Sequence, residues 1–168
     1  MALGCGGPVE DSAVLDDPCA AADGLPEAPA APGMGVPYVG TACLVVETDG
    51  LGGLRDACAS SLNLRIDEDV LTGTGACVFL GLPGEPGLGA LLPGTQSASL
   101  VGGRQGARWE GEVTVATSLG DFSWSWRGSW DGPGTELSGV VAGRSTVELG
   151  RQEVTATGEG SFVAWPSP

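Results

Sequence analysis

The chain has 168 residues and a net charge of −14, with no Lys, no His and seven basic residues that are all Arg. That balance excludes nucleic-acid binding and docking on anionic lipid, both of which need clustered cations. The missing His and Lys exclude a Ser-His-Asp or Cys-His unit, imidazole metal ligation, a lysine Schiff base and a P-loop, so a non-catalytic chain without a cofactor is expected.

The chain opens Met1-Ala2-Leu3-Gly4-Cys5-Gly6-Gly7-Pro8. The run Ala2-Leu3-Gly4-Cys5 resembles the end of a bacterial lipoprotein signal, a small apolar stretch ending in a Cys that becomes the lipidated first residue. The resemblance implies lipid attachment at Cys5, a periplasmic or cell-surface location, and membrane contact through lipid alone. Four residues precede Cys5, so a charged and apolar leader is expected upstream of Met1 or already trimmed; otherwise Cys5 is an ordinary thiol. Residues 6–37 hold six of the twelve prolines, six acids and no base. Such a composition buries too little apolar surface to offset its ordering entropy. It predicts a disordered tether over 1–37 and a folded domain over 38–168; the plain alternative is a tail with no anchoring role.

From Tyr38 onward the apolar period is two. Leu62, Leu64 and Ile66 alternate with polar residues, as do Trp109, Val113 and Val115, then Phe122, Trp124 and Trp126. That alternation marks half-buried strands. Turn residues separate the runs at Asp67-Glu68-Asp69, Leu119-Gly120-Asp121 and Asp131-Gly132-Pro133-Gly134. The pattern predicts strands over 38–47, 60–67, 70–80, 96–101, 108–117, 121–130, 136–148 and 152–165, with a Gly- and Pro-rich loop over 81–95. About eight sequential antiparallel strands predict an all-β fold, an up-and-down β-barrel or alternatively a β-sandwich. The alternation also describes an outer-membrane barrel, but a single Tyr does not build that barrel's aromatic girdles.

Residues 72–78 match residues 157–163 as a weak repeat, Thr-Gly-x-Gly followed by mixed residues and Val. Such Gly-x-Gly strands resemble the small barrels of exported bacterial lipoproteins, including the barrel lobes of transferrin-binding surface lipoproteins. The likeness implies the fold and carries over no site residue.

Five cysteines point to an oxidising compartment. With Cys5 lipidated, Cys19, Cys43, Cys58 and Cys77 allow three pairings. A hairpin turning at Asp67–Asp69 places residues opposite when their numbers sum to about 136, so Cys58 faces Cys77 or its neighbour, leaving Cys19 with Cys43. Phe122, Trp124 and Trp126 share one strand face. They form either an aromatic platform for a sugar or the core of the barrel. Asp67, Glu68 and Asp69, with Asp49, are weak candidates for a calcium cage, against the simpler reading of a solvated turn. Glu110 and Glu112 lie on the polar face of one strand, where acid–base work is a remote alternative to solvated charge. These readings predict an exported, non-catalytic β-domain tethered to the cell envelope, with an unknown protein or glycan partner; the alternative is a carbohydrate-binding or carbohydrate-active protein.

Overall fold

The computed structural model describes residues 17–20 and 22–168; Cys5 lies outside the described residues. The described residues form eight strands: β1 (Val36–Asp49), β2 (Arg55–Asp67), β3 (Val70–Phe79), β4 (Thr95–Gln105), β5 (Arg108–Thr117), β6 (Gly120–Trp130), β7 (Leu137–Leu149) and β8 (Gln152–Pro166). Each pairs antiparallel with its neighbour in sequence, and β8 returns to β1, with Tyr38 opposite Pro166 and Asp49 opposite Thr155. The barrel is therefore closed and has no unpaired edge. The up-and-down barrel is the observed fold.

Four of the connections are two-residue hairpin turns: Glu68-Asp69, Gly106-Ala107, Ser118-Leu119 and Gly150-Arg151. Three of them take the positive φ at a central residue that suits such turns, at Glu68 (52°), Gly106 (65°) and Gly150 (65°). The β2–β3 and β4–β5 turns share the upper end of the barrel with the β6–β7 loop. The β1–β2 connection, the β5–β6 and β7–β8 turns and the long loop over 80–94 share the lower end.

Alternation sorts the side chains as the sequence suggests. Leu62, Leu64, Ile66, Trp109, Val115, Phe122, Trp124 and Trp126 are buried inside, while Glu47, Glu110, Glu112 and Arg127 are exposed outside. An apolar interior with a polar exterior is the inverse of a lipid-facing barrel. Two strands are longer than alternation indicates. β2 starts at Arg55 because Asp56 through Ser60 are buried on both faces, which erases the period. β4 continues to Gln105 because Gly102 and Gly103 belong to the wall; a side chain at Gly102 would collide with the ring of Trp126.

The aromatic rings fill the barrel in three tiers. At the upper end Trp130 Nε1 donates to the Tyr38 hydroxyl at 2.9 Å, and the rings of Trp109 and Trp130 meet edge-on at 5.4 Å. In the middle Trp126 meets Phe162 edge-on at 5.3 Å. At the lower end Phe122 and Trp124 stack at 6.1 Å. Glycines on neighbouring strands make the room. A Cβ at Gly158 would stand 2.7 Å from the Trp124 indole, and Gly139 faces Phe162 in the same way. The Gly-x-Gly repeat thus lies on the inner wall, with Gly73, Gly75 and Gly158 all buried.

Two disulfides brace this body. Cys58–Cys77 spans β2 and β3 at a Cα separation of 5.7 Å. The register sets Cys77 opposite Ser60 and Cys58 opposite Phe79, so the bond crosses the ladder diagonally. Cys19–Cys43 joins the N-terminal segment to β1 at a Cα separation of 5.8 Å. Both pairs are the ones the hairpin arithmetic favours, and they suit an oxidising, non-cytoplasmic compartment.

Beyond Cys19 the chain does not behave as a free spacer. Residues 26–35 lie along the outer wall of β2 and β3, where side chains of both strands donate to the segment's carbonyls. The described part of the 1–37 stretch therefore packs on the barrel, contrary to the expectation of a disordered tether. Composition measures the apolar area a segment can bury; this one is held by polar side chains and a disulfide instead.

Gly158→Val is expected to destabilise the fold by about 1–3 kcal/mol in urea denaturation, since the added branch must displace the Trp124 ring. A loss below about 0.5 kcal/mol, the size of an ordinary surface substitution, would mean the wall has room there. Thiol titration of the oxidised, denatured protein is expected to find no reactive thiol other than Cys5; four or five would contradict both disulfides.

Candidate functional site

Phe122, Trp124 and Trp126 project inward and are 6%, 3% and 1% exposed. Trp124 Nε1 donates to the Ala156 carbonyl at 3.1 Å and Trp126 Nε1 to the Val101 carbonyl at 3.0 Å. Stacking on a sugar needs an exposed ring face, and none of the three offers one. They are the core. The interior voids lined by these and neighbouring side chains measure about 20 and 30 Å³, room for a water or two and far too small for a ligand. The interior is filled rather than hollow.

The acidic candidates do not converge. Asp67, Glu68 and Asp69 stand exposed at the β2–β3 turn, where Asp69 faces Arg104 at 3.8 Å. Asp49 lies at the other end of the barrel, its Oδ1 accepting from the Thr155 backbone N–H at 3.2 Å. Antiparallel pairing separates the start of β1 from its end by the full strand, so Asp49 cannot join the turn. Among the described residues the groups that meet at metal-binding distance are Asp17, Cys19 and Cys43. Both of those thiols are consumed in a disulfide. Glu110 and Glu112 point outward from β5, as expected. Glu110 lies across from Arg127, and Glu112 accepts a long 3.4 Å bond from Thr114.

Sequence reasoning missed Asp56, a wholly buried carboxylate at the lower mouth of the barrel. Its Oδ1 accepts from the N–H groups of Ala57 at 2.7 Å and Gly81 at 2.8 Å. Its Oδ2 accepts from Leu88 at 2.8 Å and Gly89 at 3.3 Å. Four backbone donors thus replace the water that a buried carboxylate would otherwise lack. The loop over 80–94 is folded around this one side chain, with Gln96 Nε2 adding bonds to the Leu92 and Pro93 carbonyls at 3.3 Å. Leu88 and Leu92, each 3% exposed, are thereby set into the mouth as a plug. Nothing in the local pattern Arg55-Asp56-Ala57-Cys58 distinguishes this acid from a surface one, because three of its four partners lie 25 to 33 residues away.

An open groove of about 410 Å³ crosses the outside of β6 and β7, lined by Arg108, Arg127, Gly128, Ser129, Ser138, Gly139 and Val140. Its two guanidinium groups can attract a carboxylate or phosphate, but Glu110 across the ladder from Arg127 competes for that cation. Comparison with protein-family models and with curated proteins returns no match. Among the described residues, every buried side-chain nitrogen and oxygen has a hydrogen-bond partner.

Asp56→Ala is expected to strip four backbone donors of their acceptor and cost at least about 3 kcal/mol, since each orphaned buried donor costs about 1–3 kcal/mol. Amide exchange at Gly81 and Leu88 should accelerate selectively while β5 and β6 stay protected. Uniform protection would show that the loop is held by its leucines instead.

Proposed function

We propose that this protein is an exported, non-catalytic barrel domain held at the cell envelope by lipid on Cys5, serving a binding or structural role through its outer surface. The observation that carries the reading is the Cys19–Cys43 disulfide. It clamps the acidic N-terminal segment to the middle of β1. A pull from an upstream anchor is thereby delivered to the flank of the barrel by a covalent bond, and does not peel β1 from its end. Cys19 lies fourteen residue steps beyond Cys5. At about 3.3–3.6 Å per extended residue they reach at most about 50 Å, enough to hold the domain clear of a headgroup layer.

Three further features support the reading. Ala2-Leu3-Gly4-Cys5 has the small-residue character of a lipoprotein cleavage site. Both disulfides suit export. The filled interior and polar wall leave the outside as the working surface, and attachment to a membrane then falls to acyl chains, of which more than one is needed for firm anchoring.

Expression of the gene with its native upstream sequence tests this. The wild type is expected in the membrane fraction and Cys5→Ser in the soluble one, with mass spectrometry showing acylated Cys5 at the mature N-terminus. Equal solubility of the two, or an unmodified Met1, would reject the envelope anchor.

A further inference from the structure

The segment that crosses the outer wall reads Leu25-Pro26-Glu27-Ala28-Pro29-Ala30-Ala31-Pro32, with a proline at every third position. Proline fixes its own φ near −65° and drives the residue before it to extended conformations. Three residues per turn is the period of the polyproline II helix, which makes no internal hydrogen bonds and leaves its carbonyls free. The wall uses that period. The carbonyls of Pro26, Pro29 and Pro32 all turn towards it. They accept from Ser61, from Asn63 at 3.1 Å together with Thr74, and from Thr72 at 3.0 Å. Asn63 also reaches the Ala28 carbonyl at 2.6 Å, and Ala28 is the strap residue that is fully buried. Arg65 closes the row on the Gly35 carbonyl at 3.0 Å.

We propose that the outer face of β2–β3 is a binding site for polyproline II segments, filled here by the chain's own strap and able to take a proline-rich segment of a partner protein in its place. Two observations point past a merely structural strap. First, what holds the strap is side-chain bonds to its backbone carbonyls, which any segment of the same conformation offers equally. The bonds to Pro29 and Pro32 lie at the solvent-exposed edge, and the strap is bounded by Gly24, Gly33 and Gly35, all at positive φ. Its advantage is its high local concentration, enforced by the Cys19–Cys43 disulfide at one end and β1 at the other. Second, it underfills the site. A cleft of about 130 Å³ remains between Ala30 and Ala31 on the strap and Tyr38, Val39, Asn63 and Arg65 on the barrel. A ligand with a larger side chain between its prolines fills that cleft, so the preferred partner carries P-x-x-P-x-x-P with a bulky apolar residue where this chain has Ala30-Ala31. This differs from the aromatic-lined grooves that usually read such segments: here hydroxyl and amide donors read the carbonyls.

The test uses the full chain carrying Pro26→Gly, Pro29→Gly and Pro32→Gly, which removes the strap's preset extended conformation, with faster cleavage after Glu27 confirming its release and near-ultraviolet Trp dichroism confirming the barrel. A labelled peptide spanning residues 24–35 is expected to bind this chain saturably. The same peptide with Ala31→Leu should bind more tightly. Adding Asn63→Leu and Thr74→Val should weaken binding by about tenfold or more, the loss of two or more hydrogen bonds. No saturable binding, or binding indifferent to Asn63 and Thr74, overturns the proposal. In the otherwise wild-type chain, Asn63→Leu with Thr74→Val should speed cleavage after exposed Glu27 by a glutamate-specific protease; an unchanged rate also overturns it. A wild-type dimer linked through Cys19 and Cys43 on a non-reducing gel would assign the face to strap exchange between copies and overturn the choice of partner.

Discussion

Trp124 against Gly158 is the contact on which the barrel most depends. An eight-stranded barrel encloses a space that side chains must fill from every wall, and this chain has few large residues to do it. Its solution is to place five of its eight buried or half-buried rings on β5 and β6, and to clear the strands on either side of them with glycine. Three indoles also place their N–H on an acceptor from another strand: Trp124 on the Ala156 carbonyl, Trp126 on the Val101 carbonyl and Trp130 on the Tyr38 hydroxyl. The rings thus set the spacing between strands far apart in the sequence, and apolar burial and hydrogen bonding favour the same closure.

The two ends are secured differently. The upper end is finished by rings, with Tyr38, Trp109 and Trp130 meeting edge to face. The lower end has no comparable aromatic lid. There a single buried carboxylate gathers four amides and holds Leu88 and Leu92 in the mouth. A buried charge is costly unless its hydrogen bonds are complete. Asp56 meets that condition with backbone donors alone, so the plug needs no cation in a chain that has few.

A filled lumen leaves the outer wall as the surface open to contact. The small barrels that hold ligands do so in a cavity at the mouth; here that place is taken by leucines. What remains is a polar, curved wall with two built features. One is the clamp at Cys43, which suits a domain attached from its N-terminal side. The other is the row of donors on β2 and β3 that engages the strap. Both use residues on outward-facing strand positions, which contribute little to the core and are free to serve recognition.

Much of this was legible in the sequence. Alternation in Leu62–Ile66, Trp109–Val115 and Phe122–Trp126 identified strands and their inward faces, because a period of two is a local property of the pleat. Turn residues placed the hairpins within a residue or two, and hairpin arithmetic then paired Cys58 with Cys77 and left Cys19 for Cys43. The absence of His and Lys narrows the chemistry whatever the fold. Composition could not reveal that the strap is ordered, since the bonds holding Pro26 to Pro32 come from side chains 35 to 45 residues away; the three-residue proline spacing was the available signal. Nor could it separate Asp56 from any surface acid, or tell platform from core for Trp124 and Trp126. Those outcomes rest on which wall faces which across the lumen. Only closure of β8 on β1 decides that, because closure is what turns one face of the sheet into an interior.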